Sequence, residues 1–476
     1  MTEARHEHQM YIDGAFVPAH SRSTIDLVNP ADEEVFAQIP DADLEDVDRA
    51  VAAAERALPT WQESTPRERA ALLDALADGI QARASEIDAL ITQENGAPAR
   101  WASFVGSGAH LSYRSAARLA ENFVQEELRE SNAGRSLFRN EPVGVVAAIV
   151  PWNSPQILLA GKLGPALAAG CTVVAKPSPE TSLDALVLAE IMDEIDMPSG
   201  VVNLLTGGRE SGAALVRHLG VKMVSFTGST NAGRSIASVC GEQLKPVSAE
   251  LGGKSAAVLL EDADLEAFAG TIHFEVIPYS GQVCYANTRV LVHQSRFDET
   301  IDCLRSSLES APVGDPTDPS TFFGPLITEV QRSKVEDLIS SGLAQGARVV
   351  LGGGRPAGLE KGFYVEPTVF VDVAPEMRIF QEEIFGPVVA VVPFFSDAEA
   401  LALANDSGYG LAGAVFGADL DHATDIARKM VTGRVIINAA RGASRYSSLR
   451  KGSGLGTVGE QRLADYLQAK NITQPV

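Results

Sequence analysis

The sequence predicts an α/β protein with two parallel-sheet domains. From Val143 onwards, short β-branched runs alternate with segments of helical apolar spacing, and the alternation starts afresh after Ala256. The chain is also long enough: 476 residues at a typical domain size correspond to about three structural units. Hydrophobic residues make up 45% and charged residues 21%, an ordinary globular balance that excludes collagenous and low-complexity chains.

The elements follow in order. Apolar residues recur at helical spacing from Asp43 to Leu58 and from Pro66 to Asn95, and Thr65-Pro66-Arg67-Glu68 is a capping box with proline at the first helical position. Segment 122–141 is polar and charged around Asn132-Ala133-Gly134, which fits either a projecting hairpin that pairs with another subunit or an exposed loop. Val143 to Val150, Thr172 to Lys176, Val201 to Leu205, Val221 to Phe226 and Pro246 to Glu250 read as strands of one parallel sheet covered by helices. Arg289 to Val292, Arg348 to Leu351, Tyr364 to Phe370 and Val388 to Phe394 read as strands of a second. The join falls near Gly252-Gly253, and no internal repeat or long linker interrupts the series.

A net charge of −23 works against phosphate backbones and anionic membranes, so neither nucleic acid nor membrane is expected as a partner. The strongest apolar run, Val143 to Val150, stops at Pro151, well short of the ~18 residues a span needs. The first ten residues contain acids and no apolar stretch, so the expected location is cytoplasmic. Four cysteines, Cys171, Cys240, Cys284 and Cys303, form no CxxC pair and resemble neither a disulfide framework nor a zinc site. The short His6-Glu7-His8 run is assigned no metal.

Several segments have the residue types for chemistry. Thr227-Gly228-Ser229-Thr230-Asn231-Ala232-Gly233-Arg234-Ser235 is a glycine-containing turn that opens a helix after a strand, a setting suited to a pyrophosphate. It is one residue short of a nucleotide-hydrolase loop, because Arg234 stands where that motif needs lysine. A plain strand-to-helix connection is equally compatible. Lys176 ends a strand before Pro177, at the sheet edge where open α/β folds bind ligands, although a solvated surface lysine reads the same way. Glu250 precedes Gly252-Gly253 at the crevice between domains, where partial burial would raise its pKa and suit it to act as a general base. Of the cysteines, only Cys284, in Ser280-Gly281-Gln282-Val283-Cys284, lies in a small-residue loop suited to a nucleophile. Asn153, just after a strand, is either turn chemistry or a neutral donor to an oxyanion.

Taken together, Pro-Trp-Asn at 151–153, Lys-Pro-Ser at 176–178, Phe-Thr-Gly-Ser-Thr at 226–230, Glu-Leu-Gly-Gly-Lys-Ser at 250–255, Gly-Gln-x-Cys at 281–284 and Glu-Glu-Ile-Phe-Gly-Pro-Val at 382–388 strongly resemble the NAD(P)-dependent aldehyde dehydrogenase superfamily. The resemblance runs from about Tyr11 to Ile472. It implies a Rossmann-type cofactor domain (1–121 and 142–252), a second α/β catalytic domain (253–445) and a small β oligomerisation element (122–141 and 456–476), in a homodimer or homotetramer. It implies Cys284 as the nucleophile, Asn153 with the Cys284 backbone N–H as oxyanion donors, and Glu250 as the base that activates water to hydrolyse a thioester. Lys162 corresponds to a lysine near the active site. On the NAD side the resemblance implies Lys176 at the adenine ribose, Ser229 with Gly228 and Gly233 at the pyrophosphate, Glu383 at the nicotinamide ribose and Phe385 near the ring. Trp152 and Leu251 complete that set, and no metal is implied.

The chain departs from the family pattern in three places. Where many NAD-using members have Lys-Pro-x-Glu, Pro179 stands at the acid's place and Glu180 follows it, so NADP remains possible beside the preferred NAD. Near the C-terminus the chain reads Tyr446 to Val458, keeping Lys451, Ser453 and the glycines but losing Pro-Phe-Gly-Gly and Arg-Glu. Tyr279 replaces an asparagine common before Gly-Gln-x-Cys. Positions where members for small aldehydes crowd the substrate tunnel with aromatics hold Ser154, Gly161 and Ser447, which predicts a wide tunnel for bulky aromatic or branched aldehydes. Arg441, Arg445 and Arg450 offer a second reading, a semialdehyde bound by its carboxylate. Further rivals are a CoA-acylating enzyme, disfavoured by Glu250, and a thiol esterase or non-catalytic relative.

Overall fold

The computed structural model describes residues 6–131, 134–439 and 446–474. Its first sheet has eight strands in the order Ala15–Val17, Met10–Ile12, Val202–Leu204, Thr172–Lys176, Val145–Ile149, Val221–Thr227, Val247–Glu250 and Gly454–Leu455. The five strands from Val202–Leu204 to Val247–Glu250 are parallel, and the outer strands are antiparallel. The chain builds outward from Val145–Ile149 to one side, then returns and builds to the other. That reversal, between Val145–Ile149 and Val221–Thr227, is where a doubly wound sheet opens a crevice at its carboxyl edge. Register aligns Ile149 with Lys176 and with Phe226, and Thr227 with Glu250, so the residues that follow these strands gather at one edge.

The second sheet has seven strands in the order Arg348–Leu351, Thr368–Val371, Val388–Phe394, Arg289–His293, Ala256–Leu259, Ala412–Phe416 and Arg434–Ile437. All neighbours are parallel except Arg348–Leu351 and Thr368–Val371. The expected strand from Tyr364 to Phe370 is shorter at its start. Pro367 has no N–H to give a ladder, and the buried Tyr364 and Val365 lie in the loop before it. Ala256–Leu259, Ala412–Phe416 and Arg434–Ile437 are short runs that periodicity alone did not mark.

The N-terminal helices begin where their caps require. Asp43 and Thr65 each form a complete capping box, with Asp46 and Glu68 respectively. The first helix runs past the expected end at Leu58, through Pro59, to Gln62. The expected continuous helix from Pro66 to Asn95 is two helices, Pro66–Ala82 and Ala84–Asn95, divided at Arg83. The Arg83 guanidinium is held there by Glu86 at 2.8 Å and Glu190 at 2.5 Å. Leu73, Leu76, Ile80, Leu90, Tyr113 and Leu163 belong to the core that covers one face of the first sheet.

Segment 122–141 folds as a hairpin, Glu126–Ser131 with Gly134–Pro142, and the C-terminal strand Leu467–Gln474 pairs with its inner strand from Pro142 to Arg135. Cys171 and Cys240 are buried, Cys240 and Cys303 sit within helices, and all four cysteines are free thiols. No helix of the described residues is long and apolar enough to cross a membrane, and no group of three or more potential metal-ligating side chains occurs among them.

Candidate active site

Cys284 lies in a loop that leads into the strand Arg289–His293. The loop is fastened from several sides. The Gln282 side chain accepts a hydrogen bond from the Ile327 N–H at 3.1 Å, and the Ser280 hydroxyl donates to the Gly324 carbonyl at 2.9 Å. Asn153, just after the central strand of the first sheet, is buried and donates its side-chain N–H to the Gln282 carbonyl at 2.9 Å. Two residues from opposite sides of the crevice, Asn153 and the segment ending in Cys284, are thereby brought together.

Glu250 closes the last parallel strand of the first sheet and is half-buried. The turn after it, Gly252-Gly253, sits between two other parts of the site. A Cβ on Gly252 would fall 2.2 Å from the Glu383 carboxylate, and one on Gly253 would fall 2.3 Å from the Cys284 carbonyl oxygen. At Gly252 a side chain would displace the Glu383 carboxylate and at Gly253 it would meet main chain, so the backbone passes directly between the cysteine loop and Glu383. Burial pushes the Cys284 thiol up to about 12, and the negative charges of Glu250 and Glu383 push in the same direction; the N–H groups of Cys284 and Tyr285 oppose this.

The edge of the first sheet presents Lys176 and Ser229, while Glu383 and Phe385 come from the loop before the strand Val388–Phe394 and Lys162 lies within the helix Pro155–Ala169. Lys176 is buried, with its ammonium donating to the Gly207 carbonyl at 2.5 Å and the Pro177 carbonyl at 3.2 Å; desolvation lowers it to about 8. Ser229 caps the helix Thr230–Glu242, accepting the Ala232 N–H at 3.3 Å, and the same helix packs through Gly233 against Leu251. Glu383 accepts the Gly253 N–H at 2.9 Å. Burial raises its pKa, and Lys334 and Lys254 counter that rise. Phe385 stands edge-on to Trp152, with ring centroids 5.4 Å apart. Lys162 is buried beneath the sheet, 3.4 Å from the Ser225 hydroxyl, which meets the Tyr466 hydroxyl at 3.0 Å.

The sequence profile of the aldehyde dehydrogenase family matches residues 16–472. The chain belongs to that family. Among its relatives is a geranial dehydrogenase of Castellaniella defragrans, 43% identical over 91% of both chains. A peroxisomal aminoaldehyde dehydrogenase of Pisum sativum is 38% identical, over 98% of this chain and 95% of that one. A solved structure of Staphylococcus aureus betaine aldehyde dehydrogenase, in complex with NAD+, superposes with a TM-score of 0.95 at 35% identity, covering 98% of this chain and 94% of that one. The expected α/β fold and the expected family both hold.

The geometry of this aldehyde dehydrogenase also shows residues that sequence motifs did not mark. Gln331 donates its side-chain N–H to the Phe385 carbonyl at 2.8 Å and to that of Ile384 at 3.2 Å, which fixes the turn carrying Phe385 in its left-handed conformation (φ 57°). Lys334, three residues along the same helix, faces Glu383 and Glu382. The only signal was their i, i+3 spacing on a helix capped by Thr328. Ser453, from the altered C-terminal segment, accepts the Gly410 N–H at 2.9 Å and donates to the Gly252 carbonyl at 2.7 Å, which completes the Gly-Gly turn. Arg450 in the same segment is exposed, and Arg441 and Arg445 lie outside the described residues.

Proposed function

We propose that the enzyme oxidises bulky branched or aromatic aldehydes to carboxylic acids with NAD, with Cys284 as the nucleophile. The observation that carries this reading is the meeting of Asn153, Glu250 and the Cys284 loop around the Gly252-Gly253 turn. Glu250 takes the proton from the Cys284 thiol and passes it to solvent, the sulfur bonds to the carbonyl carbon, and the carbonyl electron pair moves to oxygen. The Asn153 side-chain N–H and the Cys284 backbone N–H receive the resulting oxyanion. NAD held in the crevice would supply the hydride acceptor for the former aldehyde hydrogen, and the acyl group would then remain on Cys284 as a thioester. Glu250 then takes a proton from water, the hydroxyl oxygen adds to the thioester carbon, and the carbon–sulfur bond breaks to release the acid.

The crevice suits a dinucleotide. It combines a capped helix of 13 residues at the sheet edge, a close approach of that helix to Leu251 at Gly233, a buried ammonium at Lys176 and a half-buried carboxylate at Glu383. Lys176 would hold the adenine ribose, Ser229 and Gly228 the pyrophosphate, and Glu383 the nicotinamide ribose, with Phe385 and Trp152 beside the ring. The preference for NAD follows from Glu180, whose carboxylate accepts from the Ser178 hydroxyl and acts electrostatically on Lys176. A 2′-phosphate there would meet a negative charge.

For the substrate, Ser154, Gly161 and Ser447 leave out the aromatics that narrow the tunnel in members for small aldehydes, and the relative named for geranial supports the branched class. The assay follows reduced-cofactor absorbance with NAD or NADP across acetaldehyde, benzaldehyde, a branched terpenoid aldehyde and a carboxylated semialdehyde, with Cys284→Ala alongside. The reading expects the highest kcat/KM for the branched or aromatic aldehydes and no turnover in the variant. Acetaldehyde as best substrate overturns the wide tunnel, and the semialdehyde as best substrate puts the arginine reading ahead. The enzyme is further read as a cytoplasmic homodimer or homotetramer assembled through the hairpin and Leu467–Gln474, where Val124, Leu128 and Ile472 are exposed. Deleting residues 467–476 is expected to yield monomers by light scattering.

A further inference from the structure

Tyr279, which replaces the family's common asparagine, stands five residues before Cys284 in an unusual state. It is buried, its backbone is left-handed (φ 47°, ψ 57°), and so is that of Ser280 (φ 51°). A bulky residue holds that conformation only where its surroundings over-determine it. Here the surroundings are explicit. The Tyr279 hydroxyl donates to the Asn95 carbonyl at 2.6 Å, and its ring lies nearly parallel to Trp101, 5.9 Å away. Asn95 ends the helix Ala84–Asn95 and is itself buried. Its side chain accepts the Ala97 N–H at 3.0 Å and donates to the Trp152 carbonyl at 3.1 Å. The next residue, Asn153, donates back to the Gln282 carbonyl at 2.9 Å. The contacts therefore close a ring: Tyr279 to Asn95, Asn95 to Trp152, Asn153 to Gln282, and along the chain back to Tyr279, whose carbonyl accepts the Gln282 N–H at 3.0 Å.

We propose that Tyr279 is a positioning residue for the oxyanion site: through Asn95 it sets where Asn153 stands relative to Cys284. The inference rests on the reading of Asn153 as an oxyanion donor given above. A phenol fits the task because its rigid ring reaches across to a main-chain carbonyl and its hydroxyl still has a donor to give. Loss of that one hydrogen bond leaves the ring stacking in place but removes the tie between the Cys284 loop and Asn95, so the donor drifts from the site where negative charge develops.

The test is a double-mutant cycle with Tyr279→Phe and Asn153→Ala in the full-length enzyme, reading kcat, the KM for NAD and the unfolding temperature. Asn153→Ala is expected to lower kcat by about 100-fold, the order found when one oxyanion donor is removed. Tyr279→Phe is expected to lower kcat by roughly tenfold through the misplaced donor, with the KM for NAD within about twofold. In the double variant the Tyr279→Phe penalty is expected to shrink below about twofold, because no donor remains to be misplaced. An unchanged kcat in Tyr279→Phe, or a penalty of the same size with and without Asn153, overturns the proposal while leaving Asn153 in its role. An unchanged kcat in Asn153→Ala overturns the oxyanion reading itself, and the proposal with it. Should Tyr279→Phe fail to fold, Asn95→Asp removes the donor to the Trp152 carbonyl with the same shape and is read by the same cycle, additivity again counting against the proposal.

Discussion

Adding one methyl group at Gly253 tests the site at its tightest point. The new Cβ would stand 2.3 Å from the Cys284 carbonyl oxygen, whereas ordinary contact begins near 3.4 Å. The cysteine loop or the turn must therefore give way by about 1 Å. Backbone lies on both sides, so no flexible side chain can absorb the change. A misplacement of about 1 Å between reacting groups lowers rates by about 100-fold, equivalent to about 2.7 kcal/mol in the activation barrier. Gly253→Ala is thus expected to reduce kcat by about two orders of magnitude in the absorbance assay. Gly241→Ala is the matched control. It lies in the helix Thr230–Glu242, where an added methyl would meet no atom within 4 Å, and alanine there favours the helix. It should leave kcat unchanged. A Gly253→Ala enzyme with kcat within about threefold of the parent would refute the inference that this turn sets the cysteine's position.

Three other outcomes are expected. Because the Cys284 thiol is pushed up to about 12, alkylation by iodoacetamide should climb with pH through 10 without levelling off; Glu250→Gln removes a repelling anion and should shift the curve to lower pH, and a plateau by pH 9 contradicts both statements. Glu180→Ala removes the charge beside Lys176 and should raise the NADP-to-NAD ratio of kcat/KM by about tenfold, measured in parallel assays, with an unchanged ratio counting against the placement of the adenine ribose. Ser453→Ala leaves the buried Gly410 N–H and Gly252 carbonyl without their partner and should destabilise the protein by about 3 kcal/mol in denaturant unfolding, with a change below about 0.5 kcal/mol showing that the serine does not hold the turn.

The sequence made some features legible and left others hidden for a physical reason. The five central strands of the first sheet were visible because buried parallel strands are short β-branched runs, as in Thr172–Lys176. The residues that follow them could then be placed at one edge from the strand order of such sheets alone. Cys284 stood out because the other cysteines sit in helical or strand-flanking patterns. The features that escaped notice depend on partners distant in sequence. Arg83 interrupts a helical pattern in company with Glu190, the two-residue strand Gly454–Leu455 exists because it pairs with Ala249 and Glu250, and Asn95 matters through Trp152 and Tyr279. Local periodicity carries no trace of such contacts. Gln331 and Lys334 escaped for the same reason: their spacing fits one helix face, but only the fold shows that this face meets Phe385 and Glu383.

The Ser453 contacts also set a schedule for the growing chain. Asn153, Glu250, Cys284 and Glu383 have all been synthesised well before Ser453, yet the turn that runs between them receives its closing hydrogen bonds, and the first sheet its last edge strand, from residues 453–455. Domains tend to fold as they emerge, N-terminal parts first. On the ribosome, both sheets can therefore begin to form with the thiol already present, while the turn beside it stays open until residues 453–455 are added. Assembly of the site thus waits on residues far downstream of the thiol itself.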